Sequence, residues 1–183
     1  MTRTTTLIAG LLLAFGAQAQ TLKPAQLVAA CTACKAAAAC NTPRQIGDSV
    51  SVLQWLNAAR TPSAPAWLTS SNPAAAEEAP SYTQYDSLAQ GKRDSWMLFL
   101  RSPRDYTKAK VRAWVVDVWG AATAASNAEA VLLAGTTSAT NLQHVLGGTT
   151  RTTGTVSALD LTYTQQASQD DANYVADPAR CQG

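Results

Sequence analysis

The sequence predicts a mainly α domain: a helical hairpin, a helical core and a short β segment near the C-terminus. Three observations lead there. Hydrophobic residues make up 46% of the 183 positions and charged residues only 14%, the balance of a globular protein. Alanine is abundant, which favours helix while adding little core volume per residue. Between residues 105 and 119, Val111, Trp114, Val115, Val118 and Trp119 recur at i, i+3, i+4, i+7 and i+8, the repeat of a helix with one buried face. A chain of this size suits a single domain that buries about two thirds of its unfolded surface.

Residues 1–20 read as a signal-peptide-like segment or an N-terminal helical extension of a single helical domain spanning 21–183. Arg3 precedes the apolar stretch Leu7–Phe15, and Ala17-Gln18-Ala19 suits signal peptidase. As a helix the apolar run Leu7–Gly16 spans about 15 Å, half a bilayer core, so no stable membrane anchor is expected.

Pro24 fits a first helical turn, and a helix is expected over about 24–40, stopped by Asn41. Thr42, Pro43 and Gln45 resemble a capping box opening a second helix to about Arg60, with Ile46, Val50, Leu53 and Leu56 on one face. The two should pair as a hairpin. Pro62, Pro65, Pro73 and Pro80 forbid any long regular element over 61–82, which reads as a proline-rich surface loop able to drape over a neighbouring subunit.

Helix resumes over 83–101 with a break at Gly91, and again over about 105–119, ended by Gly120. Trp96, Trp114, Val115, Val118 and Trp119 are therefore the expected core. Ser126 and Glu129 resemble a capping box for a helix to Ala134, closed by Gly135. Residues 136–154 are rich in Thr and Gly, with a short helix around 141–146. The best strand is 155–163, with Ser157, Leu159, Leu161 and Tyr163 on one face. Ser168 caps a last helix to about Val175, and a polar tail follows.

Cys31, Cys34, Cys40 and Cys181 are the only cysteines. Zinc sites usually bring two close pairs or added histidines, and His144 stands alone, so no metal is expected. The preferred reading is free, buried, apolar cysteine. In an exported chain the same four residues allow two bridges in three connectivities, and a link from Cys181 to one of the other three would tie the tail to the first helix.

Net charge is +2, which does not suggest a nucleic-acid binder, although Lys92, Arg93, Arg101, Arg104, Lys108, Lys110 and Arg112 form a basic patch. It is expected to serve subunit contacts or helix ends. Weak, sequence-independent DNA contact becomes useful only if a ring gathers several copies. His144 sits among Leu142, Val145 and Leu146 without a nucleophile motif and reads as structural. Gly147-Gly148-Thr149-Thr150 lacks the lysine of a phosphate loop, and Tyr106 with Lys110 lacks the glycine-rich loop of a reductase. The expectation is a protein with no catalytic residues and no cofactor.

The stretch Leu88–Trp96, with Pro103–Tyr106, Lys110–Arg112 and Asp117–Trp119, resembles a family of small, functionally unassigned proteins encoded among the virion genes of tailed bacteriophages. Thr21–Leu27 and Leu161–Tyr163 with Ser168–Asp171 extend the resemblance over about residues 21–175. It implies a non-enzymatic structural component of a virion, in the head–tail connector or tail, assembled in the host cytoplasm as a ring with copies of itself and other virion proteins. Residues 1–20 and the cysteines depart from that pattern. They point to the alternative, an exported periplasmic or secreted binding protein built on the same domain.

Overall fold

The computed structural model describes residues 22–161 and 165–182. The signal-like segment 1–19, and Thr162 and Tyr163 of the expected strand, lie outside the described residues. Among the described residues the architecture is mixed: ten helices and a four-stranded sheet, so mainly α holds only coarsely.

The first half-core is helical. α1 (Pro24–Ala36), α2 (Ala38–Gln45) and α3 (Ser49–Asn57) pack with α9 (Asn141–Leu146) and α10 (Gln169–Ala176). Their shared interior holds Leu27, Ala30, Val52, Leu56, Leu142 and Val175 together with all four cysteines. The expected helix over 24–40 breaks at Ala37, whose extended backbone (φ −103°, ψ 113°) separates α1 from α2. The expected second helix from Thr42 is also corrected. Pro43 lies inside α2, and α3 starts later, where Asp48 accepts hydrogen bonds from the Ser51 amide and hydroxyl. Gly47, at φ +72°, makes the turn between them.

The second half-core is aromatic and lies on the sheet. β1 (Pro65–Trp67) pairs antiparallel with β2 (Thr136–Ser138) and parallel with β4 (Val156–Leu161), and β4 pairs antiparallel with β3 (Gly148–Thr153), giving the order β2-β1-β4-β3. α4 (Pro73–Glu78), α6 (Gln90–Leu100), α7 (Ala109–Trp119) and α8 (Asn127–Ala134) enclose Trp67, Trp96, Phe99, Tyr106, Val115, Val118, Val131 and Leu132. α5 (Tyr82–Ser87) has no buried residue.

The reading of 61–82 as a surface loop holds only in part. Its middle supplies β1, an interior strand, and Trp67 is among the largest fully enclosed side chains. Proline did not prevent this, because Pro65 occupies the first strand position. β2 and β3 were not anticipated either. β3 is polar and largely exposed, so it shows no apolar alternation. β4 appears where a strand was expected but turned over: Val156 and Ala158 are buried, while Ser157 is exposed.

Gly135 does close α8, for a reason the capping rule does not contain. Its φ is an ordinary −83°, but a Cβ there would fall 2.1 Å from the Tyr106 ring. The missing side chain is what lets that ring pack.

Candidate binding cleft and disulfide cluster

The cysteines pair as Cys31–Cys181 and Cys34–Cys40, with Cα separations of 5.6 and 5.0 Å, and none is free. The free-thiol reading is thereby corrected. The break at Ala37 is what makes the short bridge feasible. On one continuous helix, residues six apart would be about 9 Å apart along the axis, beyond the usual disulfide span. Cys181 is 1% exposed, so the tail is drawn into the helical core. The polar tail expected after the last helix is thus tied back to α1 by this bridge.

The start of the described chain is held at the same place. Leu22 is 3% exposed, and its amide donates to the fully buried carboxylate of Asp171 at 2.7 Å. The other Asp171 oxygen accepts from the Ser168 amide and hydroxyl, completing a capping box on α10. One acidic side chain thus joins the first described residue to the last helix.

The aromatic expectation can be set beside the geometry residue by residue. Trp96, Val115 and Val118 are buried, and Trp114 and Trp119 are half-buried against the same cluster. Trp96 stacks on Phe99, with ring centroids 5.0 Å apart, and meets Trp119 edge-on at 5.2 Å. Trp114 donates its Nε1 to Ser95 Oγ.

The basic residues do not act as one surface. Arg112 is 4% exposed, which corrects its placement in a contact patch. Its guanidinium lies 4.9 Å from the Trp67 ring centre, donates to the carbonyls of Tyr106 and Thr107 and to Thr153 Oγ1, and faces Asp160. Arg104 lies against Phe99 and Trp114 and donates to the carbonyls of Leu98 and Phe99 at the end of α6. Lys92 donates to the Asp117 carbonyl, Arg93 to Gln90, and Lys108 pairs with Asp105. Arg101 and Lys110 are exposed.

His144 follows Asn141 and Leu142 on α9, with its Nδ1 buried and unpartnered. Desolvation, and then the nearby Arg60 charge, hold its pKa below the usual histidine value. Burial pushes the Tyr106 phenol well above its ordinary pKa, and its hydroxyl has no partner. His144 lines a shallow surface hollow with Thr150 and Ser157.

Among the concave features of the described residues is a cleft of about 220 Å³ between α5 and α6, on the outer side of the aromatic half-core, with Glu77 of α4 also in its lining. Pro80, Trp96 and Leu100 form its base. Tyr82 and Tyr85 form one wall, and Met97 part of the other. Glu77 and Asp86 supply its charges, with no lysine or arginine in the lining. None of the expected site residues except Trp96 belongs to it. The legible signal was Tyr82, Tyr85 and Asp86 at i, i+3 and i+4, one face of a helix turn. Among the described residues no group of histidine, cysteine and acidic side chains could hold a metal ion, and no helix is long and apolar enough to cross a membrane.

A scan against family models and searches of curated proteins and solved structures return no match.

Proposed function

We propose that this chain is an exported, disulfide-locked, non-enzymatic binding protein that works in the periplasm or outside the cell. The cysteine pairing carries the reading: all four cysteines lie in two bridges, and such bridges persist in oxidising compartments. A second observation agrees with it. Leu22, anchored by Asp171, lies three residues beyond Ala19, the last residue of the signal-like segment. The mature chain would therefore begin at Gln20 and enter its fold at once. The acidic, aromatic cleft offers the place for a ligand.

The second reading is the virion component, a structural subunit of the head–tail connector or tail. Its support is the resemblance, whose central motifs from Leu88 to Trp119 make up much of the aromatic half-core and contain no cysteine. Disulfides also suit the outer surface of a particle.

Fractionation separates the two. A producing cell should hold the processed chain in the periplasm or medium, free of particles. Co-sedimentation of the chain with purified particles at a fixed stoichiometry would replace the first reading with the second.

A further inference from the structure

We infer that the cleft between α5 and α6 binds a small, soluble quaternary ammonium ion. The inference rests on the binding-protein reading and names its ligand class. The cleft is built on α5, whose Tyr85 also packs against Trp119 of the aromatic half-core. The helix contributes nothing fully buried, leaves Tyr82 68% exposed, and yet turns Tyr82, Tyr85 and Asp86 toward one groove. Across it, Met97 is 52% exposed beside the enclosed Trp96. Phe99 and Trp119 hold the Trp96 ring from two sides, so the floor is rigid before any ligand arrives.

Charge and polarity then select the occupant. Aromatic rings present their negative faces to cations, and two carboxylates, Glu77 and Asp86, lie within the lining without a basic residue to neutralise them there. The remaining surface is apolar. Glu77 and Asp86 can accept from a primary ammonium as well, but a quaternary ammonium is the more weakly hydrated ion and lays its methyl groups against Pro80, Met97 and the tyrosine rings, so it loses less on leaving water. The volume suits such a head group and is below the range of pockets that enclose drug-sized molecules.

Choline is the probe, titrated into the disulfide-bonded mature chain at low salt by calorimetry and by amide NMR shifts. Saturable binding is expected, with shifts concentrated at Tyr82, Tyr85 and Met97. Ethanolamine and the neutral isostere neohexanol should bind more weakly. Glu77→Gln with Asp86→Asn, and separately the mild surface change Tyr82→Ala, should each weaken choline by roughly fivefold while the near-ultraviolet circular dichroism stays native. Absence of saturable binding, equal binding of neohexanol, or indifference to both variants overturns the inference. A chain that is exported and bridged yet ignores choline refutes the ligand and leaves the location standing. Choline binding by an unprocessed, reduced chain supports the ligand and refutes the location.

Discussion

Leu22 and Asp171, 149 residues apart in sequence, are joined by a buried hydrogen bond from the Leu22 amide to an Asp171 carboxylate oxygen. Because the second oxygen caps α10, the same side chain fixes the first described residue and the start of α10. Replacing Asp171 with Ala leaves buried donors unpaired at both places. The expected loss is about 2–4 kcal/mol in urea melts. A loss under about 1 kcal/mol would mean that the two ends are held by something else.

Cys31–Cys181 closes a far longer loop than Cys34–Cys40, with sequence separations of 150 and 6. Chain-entropy reasoning assigns about 5 kcal/mol to the long bridge and about 2 kcal/mol to the short one. Paired Cys→Ser variants, one bridge at a time, should therefore differ in denaturant midpoint, with the Cys31/Cys181 pair the more damaging. The reverse order would show that the short bridge holds the α1–α2 break and that this break governs stability.

Trp67 and Arg112 form the centre of the sheet half. Trp67→Ala should cost about 3–5 kcal/mol, as for other enclosed aromatics. Trp114→Ala should cost less, since Trp114 is only half-buried. Arg112→Ala leaves the Tyr106 and Thr107 carbonyls without their donor and Asp160 with Arg151 alone, and about 2–4 kcal/mol is expected. Equal, small effects in equilibrium unfolding would contradict the packing described.

His144 gives stability a pH dependence of known sign. Its folded pKa is lowered, so the unfolded chain takes up the proton more readily and stability falls as pH drops below the ordinary value of 6.5. His144→Gln should flatten unfolding free energy against pH across that window. A slope that survives the substitution would assign the effect to another group.

Local chemistry was legible where caps and periodicity act within a few residues. α8, α9 and α10 are expected and found, with Ser126, Thr140 and Ser168 at their starts. The sheet was not, because β1 depends on partners about 70 to 90 residues away and looks locally like a proline loop. Arg112 reads as a surface charge by residue type alone, yet it is buried. It shares a helix face with Val115 and Trp119, at i, i+3 and i+7, and Trp67 supplies the ring that makes its burial tolerable. The cleft is not legible in the sequence because its lining comes from separate short helices. The long bridge could be stated only as one of several connectivities, since nothing local tells Cys181 which cysteine it will meet.

The most direct measurement is non-reducing peptide mapping with intact mass, on the full chain expressed in a bacterial host with a working export pathway. Expected is a mature protein beginning at Gln20, lighter than its reduced form by the four hydrogens of two disulfides, and yielding linked peptides for Cys31–Cys181 and Cys34–Cys40. A protein that retains Met1 with four free thiols would contradict export and the disulfide-locked core together.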